Sequence, residues 1–151
     1  MKKALLAIAM LVVFGTTAMA QNALGIRAGA GSGTNCELSY QMGLGSNRLE
    51  LDLGWWGHED WAYYNLTGVY QWTGDITGPL GWYLGAGAQL GLWTAANNNS
   101  SLGLAVGAQA GLELNLDFPI QFTLDVRPMW NIIGHNSGFG WGAALGIRYK
   151  F

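Results

Sequence analysis

The sequence predicts an all-β protein, an eight-stranded antiparallel up-and-down barrel that crosses a membrane. Three observations predict it. Hydrophobic residues make up 50% of the chain and charged residues 11%, against about 25% charged in ordinary soluble domains. Apolar and polar residues alternate with the period of a β-strand. Beyond the N-terminal region, no apolar run approaches the about 20 residues of a membrane helix, and the other spanning structure that satisfies every backbone group is a closed barrel.

Residues 1–20 have the composition of a secretory signal peptide. Lys2 and Lys3 provide positive charge, residues 4–14 are apolar, and residues 18–20 (Ala-Met-Ala) form a cleavage site. We therefore expect removal of residues 1–20, which leaves one barrel domain at 21–151. Without these two lysines, five basic residues face nine acidic ones, a net charge of −4. This balance disfavours binding to nucleic acid.

Eight segments alternate over close to the 9–11 residues that a tilted membrane strand needs. The predicted strands are 23–30, 36–44, 49–56, 63–72, 81–92, 102–114, 120–127 and 139–151. An even number of strands places both chain ends on the same side of the membrane, which in bacterial barrels is the periplasmic side. Because Pro128 lacks a backbone N–H and a closed barrel has no edge to accommodate it, strand seven is predicted to end or bulge there.

The apolar faces of these strands follow in order. The first four carry Leu24, Ile26 and Ala28; Leu38, Tyr40 and Met42; Leu49, Leu51 and Leu53; and Leu66, Tyr70 and Trp72. The last four carry Leu84, Ala86 and Leu90; Leu104, Val106 and Leu112; Phe122, Leu124 and Val126; and Trp141, Leu145 and Ile147. Since every one of these stripes lacks charge, each strand has one face suited to lipid.

Alternation alone does not say which face is outside, because a soluble barrel has the same period with its apolar face inward. The uncharged stripes, the predicted signal peptide and the aromatic residues at the stripe ends favour the lipid-facing arrangement. From Tyr64 to Trp72 is eight residues, or about 20 Å of membrane for a tilted strand. The predicted girdles are Trp55, Tyr64, Trp130 and Trp141 at one rim, and Tyr70, Trp72, Trp82, Tyr149 and Phe151 at the other.

The opposite faces of the strands carry most of the charged residues. They are Arg27, Glu37, Glu50, Asp52, Glu113, Asp125, Arg127 and Arg148, with Lys150 near the periplasmic mouth. Side chains just fill an eight-stranded barrel. We therefore predict that these charges pair across the lumen as a plug without an open pore, with Trp56 and Tyr83 filling space beside them. A proton or ion relay and a ligand crevice remain alternatives.

Other motifs predict little chemistry. Cys36 is the sole cysteine, so no intrachain disulfide forms. The triplet His58-Glu59-Asp60 is interpreted as a solvated loop tip. We predict neither a metal site nor a cofactor.

The segments FTLDVRP at 122–128, NIIG at 131–134 and GIRYKF at 146–151 resemble the small outer-membrane β-barrel family, the OmpA/OmpX-like barrels, in their Bacteroidetes members. The resemblance implies an outer-membrane location in a Gram-negative bacterium. It also implies that Tyr149 and Phe151 belong to a signal that the barrel-assembly machinery reads. The other expected partners are periplasmic chaperones, membrane lipid and lipopolysaccharide, and the expected state is a monomer.

The leading functional hypothesis is a non-enzymatic barrel for membrane integrity or surface interaction. The alternative is a lipid A deacylase, since some barrels of similar size use a His-x-Ser pair with a carboxylate. His135 and Ser137 match that spacing, but Gly138 departs from the family's His-x-Ser-Asn and the final strand has no carboxylate to orient the histidine. An adhesin is a third hypothesis, disfavoured by the short predicted outer loops at 31–35, 57–60, 94–101 and 131–137.

Overall fold

The computed structural model describes residues 21–31, 36–134 and 137–151. The predicted signal peptide at residues 1–20 lies outside them. The described chain forms eight strands: β1 (Ala23–Gly31), β2 (Cys36–Leu44), β3 (Asn47–His58), β4 (Trp61–Thr77), β5 (Leu80–Ala95), β6 (Ser100–Asn115), β7 (Ile120–Ile133) and β8 (Gly138–Lys150). None of the described residues belongs to a helix that is long and apolar enough to cross a membrane.

The strands close into a barrel in chain order. Each strand pairs antiparallel with the next, and β8 pairs with β1 from Ala23↔Lys150 to Gly31↔Gly142. This confirms the predicted fold class. The boundaries of β2 are as predicted, whereas β3 to β6 extend further at both ends because their hairpins continue past the alternating apolar stripes.

The barrel is polar inside and apolar outside. Arg27, Glu37 and Glu50 are 0% exposed, while Leu145 is 64% exposed. Alternate residues of one strand therefore enter opposite environments, as the pleat requires. A water-soluble barrel has the reverse arrangement, with its apolar side chains in the core.

Pro128 neither ends β7 nor bulges it, which corrects the prediction made from sequence. The pairing with β8 continues through Pro128↔Trp141. On the other side, the pairing with β6 passes from Gly107↔Met129 to Ala110↔Val126 without pairing Arg127 or Pro128. The register shift lies further along, where Ala105 pairs with Asn131 and Leu104 with Ile133. The barrel thus accommodates the missing N–H by a local gap in one ladder.

Glycine brings β1 and β8 together at the closing seam. A Cβ atom on Gly25 would lie 1.9 Å from the carbonyl oxygen of Ile147, and one on Gly29 would lie 2.1 Å from that of Ala143. Any side chain at these two positions would push the strands apart. The absence of a Cβ therefore permits the approach that closes the barrel.

Candidate functional site

A buried network of charged side chains fills the middle of the barrel, and Glu50 on β3 is its centre. One carboxylate oxygen accepts hydrogen bonds from Arg127 at 3.1 Å and from Gln109 at 3.1 Å. The other accepts from Arg148 at 2.9 Å and from Gln41 at 2.6 Å. Four donors from four strands therefore converge on one carboxylate. Charge-assisted bonds of this kind are stronger than neutral ones.

A second centre forms around Arg27 on β1. Its guanidinium donates to both oxygens of Asp125 on β7, in the two-pronged geometry that suits a carboxylate. It also donates to Glu37 on β2 at 2.6 Å. The Tyr83 hydroxyl donates to Asp125 at 3.0 Å. This centre joins β1, β2, β5 and β7 across the lumen.

Arg127 links the two centres. Its guanidinium contacts Asp52 at 2.5 Å, Glu50 at 3.1 Å and Glu37 at 3.6 Å. Ion pairs thus link seven of the eight predicted lumen residues into one network. It contains the guanidinium groups of Arg27, Arg127 and Arg148 and the carboxyl groups of Glu37, Glu50, Asp52 and Asp125. With every group ionised, one negative charge is in excess.

Each large arginine stands beside a glycine on the neighbouring strand. Arg27 pairs with Gly146, Arg127 with Gly142, and Arg148 with Gly25. Directly opposed residues on one face of a sheet are within side-chain contact, so a glycine there leaves room for a guanidinium to extend across the lumen. The abundance of glycine on the inner faces therefore has a packing role in the network.

Glu113 lies nearer the end of the barrel where the chain termini meet, and glutamine side chains connect its ion pair to the network. Glu113 pairs with Arg48 at 2.5 Å, and Arg48 also lies over the Tyr83 ring, 4.9 Å from its centroid. Arg48 donates to Gln71, Gln71 donates to Gln109 at 2.6 Å, and Gln109 donates to Glu50. A polar cavity of about 840 Å³ opens at the end with the termini, and its lining includes Arg48, Glu113, Gln121 and Lys150.

The sequence prediction of the lumen missed Arg48 because its third strand began at Leu49, whereas β3 begins at Asn47. Arg48 lies two residues before Glu50 and four before Asp52, so the alternation of the strand places all three on the inner face. Extending the predicted strand by two residues would have included Arg48. The glutamines were missed as partners for another reason. Gln41, Gln71 and Gln109 are buried in the network or beside it, but a neutral inward residue gives no indication of which charge it will meet.

Trp56 does not fill the lumen, which corrects the prediction. It lies on the inner face of β3 but near the end of the strand, where it is 53% exposed. Tyr83, by contrast, is 1% exposed and packed into the network. The two residues differ in exposure because they differ in position along the barrel axis. Tyr83 lies level with the charged network, whereas Trp56 lies beyond it, near the end of the barrel.

The predicted girdle residues all point outward and are exposed. Trp55 and Tyr64 are cross-strand partners near the β3–β4 turn, and the Trp130 and Phe139 rings are 6.4 Å apart near the β7–β8 turn. Toward the other end, the Tyr70 and Trp72 rings are 5.3 Å apart. Trp82, Trp141, Tyr149 and Phe151 are also exposed.

Of the predicted His135–Ser137 pair, the structure describes only Ser137. His135 lies outside the described residues, and Ser137 is exposed immediately before β8. In the ring of eight strands, the β3–β4 turn with Glu59 and Asp60 lies opposite the β7–β8 turn. Those two carboxylates are therefore remote from Ser137. Within the described ranges, no group of three or more His, Cys, Asp or Glu side chains could hold a metal ion.

Three solved structures share this fold. Neisserial surface protein A has 17% identity and a TM-score of 0.63, covering 87% of this chain and 94% of that one. The N-terminal β-barrel domain of OprF from Pseudomonas aeruginosa has 18% identity and a TM-score of 0.63, covering 88% and 100%. Ail, the attachment invasion locus protein of Yersinia pestis, has 15% identity and a TM-score of 0.51, covering 87% and 97%.

No protein-family model matches the sequence, and no curated protein is similar to it. The likeness to the three solved structures, which are small outer-membrane barrels of eight strands, is a likeness of fold. The chain is a closed, eight-stranded, antiparallel, all-β barrel similar to those of outer-membrane proteins.

Proposed function

We propose that this protein is an integral outer-membrane barrel of a Gram-negative bacterium and that it acts without catalysis, in membrane integrity or surface interaction. The observation that carries the proposal is the inverted polarity of the barrel. Buried residues are mainly charged or amide side chains, and the exposed residues of the wall are mainly leucine, isoleucine, valine and aromatics. Such a surface is stable in lipid and aggregation-prone in water.

The aromatic residues support a definite height in the membrane. Trp55, Tyr64 and Trp141 lie toward the end with the β3–β4 and β7–β8 turns, and Tyr70 and Trp72 lie toward the end with the termini. Tryptophan and tyrosine prefer the interface between lipid and water. The uncharged belt between the two sets then spans the hydrocarbon layer, with the chain termini in the periplasm.

The network supports a structural role. Its ion pairs connect residues of β1, β2, β3, β7 and β8. They include Arg27 on β1 with Asp125 on β7, and Arg127 on β7 with Asp52 on β3, the strand four positions away in the ring. Cross-lumen contacts of this kind resist deformation of the barrel. We propose a monomer that contacts membrane lipid and lipopolysaccharide and that reaches the membrane with periplasmic chaperones and the barrel-assembly machinery. The terminal motif supports membership in a Bacteroidetes-type group.

The names of two similar structures, a surface protein and an attachment invasion locus protein, support a role at the cell surface. The described turns at the proposed outer end are short, however, at residues 59–60 and 96–99. They offer a small surface compared with long adhesive loops. Among the described residues, the surface offered for an interaction at this end is therefore the barrel mouth.

A deletion strain, with the gene returned on a plasmid, tests the proposal. We expect the protein in the outer-membrane fraction, and we expect the deletion to increase sensitivity to detergent or to reduce surface binding. The lipid A acylation pattern, measured by mass spectrometry, should be the same with and without the gene. Loss of one acyl chain that depends on both His135 and Ser137 would replace this proposal with the deacylase alternative.

A further inference from the structure

Three aromatic side chains form a row on the inner face of the barrel, at the end away from the termini. Trp56 on β3 pairs with Tyr63 on β4, and Tyr63 pairs with Trp93 on β5. Paired residues point to the same face, and neighbouring strands lie about 4.8 Å apart, so the row spans about 10 Å across three strands. Trp56 is 53% and Trp93 38% exposed although both face inward. The row therefore borders open space.

Glycine lets the middle ring lie along the barrel wall. A Cβ atom on Gly91 of β5 would lie 2.6 Å from the Tyr63 hydroxyl oxygen and 2.9 Å from its Cε2 atom. The Tyr63 ring thus lies over the β5 backbone, in space that any other residue at position 91 would occupy. This arrangement keeps the ring beside the wall, where it does not block the mouth.

Among the described residues, the part of the wall opposite Tyr63 has almost no side chains, although Met129 and Asn131 point inward from β7, opposite Trp56. In the closed ring of eight strands, β8 lies four strands from β4. The inward positions in the outer half of β8 and of its neighbour β1 are all glycine: Gly138, Gly140, Gly142, Gly29 and Gly31. The aromatic residues therefore face a wall of glycine on β8 and β1, and the charged network lies below the space between them. We name the space beside Trp56, Tyr63 and Trp93 the outer cleft.

The charges around the outer cleft select the class of ligand. The chain has no Lys or Arg between Arg48 and Arg127, and Arg48 and Lys150 lie at the other end of the barrel. His58, Glu59 and Asp60 lie in or beside the β3–β4 turn. Among the described residues at this end, an anionic ligand finds no Lys or Arg side chain. An acyl chain would contact the charged side chains of Glu37, Asp52 and Arg127 below the cleft. Contact with these charged groups gives an apolar chain no favourable free energy of burial.

An uncharged sugar fits both the aromatic row and the absence of Lys and Arg among the described residues at this end. The C–H faces of a pyranose ring stack on indole and phenol rings, and its hydroxyl groups bond polar edges such as Ser101, the cross-strand partner of Trp93. Aromatic walls with a few polar groups are typical of small-molecule sites. We propose that the outer cleft binds one or two rings of an uncharged oligosaccharide. Only the location of this end outside the cell rests on the proposed function.

The test uses the protein refolded in detergent micelles and labelled with ¹⁵N, with maltohexaose, cellohexaose and chitohexaose as probes. We expect at least one of them to shift the indole N–H signals of Trp56 and Trp93. The matched control is Trp55, which is adjacent to Trp56 and equally exposed but on the outer face. Its signal should not move. Trp56→Ala should weaken binding about tenfold, the loss of one good contact, and Trp55→Ala should not.

Trp93→Ala serves as a second variant if Trp56→Ala fails to fold, with heat-modifiable migration on gels as the folding check. Absence of binding by all three sugars would overturn the proposal. So would equal binding by Trp56→Ala, or binding of p-nitrophenol or a heparin oligosaccharide in place of the sugars. A protein that binds sugar but is not in the outer membrane would refute the proposed function alone. A correctly located protein that binds none of these sugars would refute this inference alone.

Discussion

At the scale of single residues, the lumen distinguishes two carboxylates that the sequence presents as equivalent. Glu50 accepts four hydrogen bonds, two of them from arginines. Asp52 accepts one from Arg127, and its other oxygen has no hydrogen-bond partner among the described residues. Since the network has one negative charge in excess, loss of the charge at Asp52 leaves a balanced set. Loss of the charge at Glu50 removes the carboxylate that pairs with Arg148 and one of the carboxylates that contact Arg127.

We therefore predict that Glu50→Gln destabilises the barrel by about 3–5 kcal/mol, the usual cost of breaking a buried ion pair from one side. Asp52→Asn should cost at most about 1 kcal/mol, the scale of one ordinary hydrogen bond. Urea unfolding in detergent micelles measures both values. Equal losses in the two variants would show that the contacts do not rank these carboxylates.

The parity of each strand predicted from sequence which residues face inward, including all eight of the charged residues that it singled out. It did not predict their partners. Arg27 and Asp125 are 98 residues apart, and their contact depends on barrel closure and on the stagger of strands, which no local pattern encodes. The alternation also misplaced Trp56, because it predicts which face of the strand a residue lies on but not its position along the barrel axis.

At the scale of elements, the seam between β8 and β1 holds the barrel closed. The backbone of Phe151 extends it beyond β8, since its N–H donates to the Asn22 carbonyl at 2.9 Å and its carbonyl accepts from the Asn22 N–H at 3.2 Å. The Phe151 ring is exposed. The backbone of Phe151 thus has a structural role, while the predicted role of its side chain in recognition depends on the exposed ring.

Two variants separate these roles. Deletion of Phe151 removes the ring and both hydrogen bonds, whereas Phe151→Ala removes only the ring. If the aromatic ending is the assembly signal, both should lower the outer-membrane level of the protein several-fold, and Lys150→Ala should have little effect. Quantitative immunoblots of membrane fractions measure the levels. Normal levels of Phe151→Ala with a loss only in the deletion would assign the role to the backbone.

The seam also predicts which glycine is indispensable. Gly25→Ala places a methyl group against the Ile147 carbonyl and should cost about 1–3 kcal/mol, the usual range for overpacking. Gly68→Ala is the matched control, since a Cβ there would meet only a Leu51 methyl group, at 3.5 Å. Its unfolding free energy should be close to that of the parent. A similar loss in both variants would mean that strand propensity, not the close approach at the seam, sets the cost.

At the scale of the whole molecule, the fold was predictable because it depends on features that are local in sequence. Period-two alternation gave all eight strands, and turn residues separated them. The lengths of β3 to β6 were not predictable, because Trp61, Thr94 and Ser100 extend the hairpins beyond the alternating stripes. The sequence also did not show that β7 continues through Pro128. This depends on which neighbouring strand would have accepted a hydrogen bond from the N–H that proline lacks.

The filled lumen predicts that the barrel does not conduct as a pore. Arg27, Arg127 and Arg148 extend across its middle and pair with carboxylates from other strands, so no continuous water column of ion-passing width is expected. Planar-bilayer recordings of the refolded protein should show at most small, irregular currents. A stable large unitary conductance would require a different packing of the network.

The most direct test of the inside-out barrel is cysteine accessibility at Leu51, Leu84, Val106 and Leu145, in a Cys36→Ser background. All four side chains lie on the outer face. Glu59→Cys in the β3–β4 turn is the water-exposed control. In the folded protein in membranes, we predict that the four sites react with a bilayer-soluble thiol reagent and not with a charged aqueous one, while position 59 reacts with the aqueous reagent. Aqueous labelling of all four sites would contradict the lipid-facing belt.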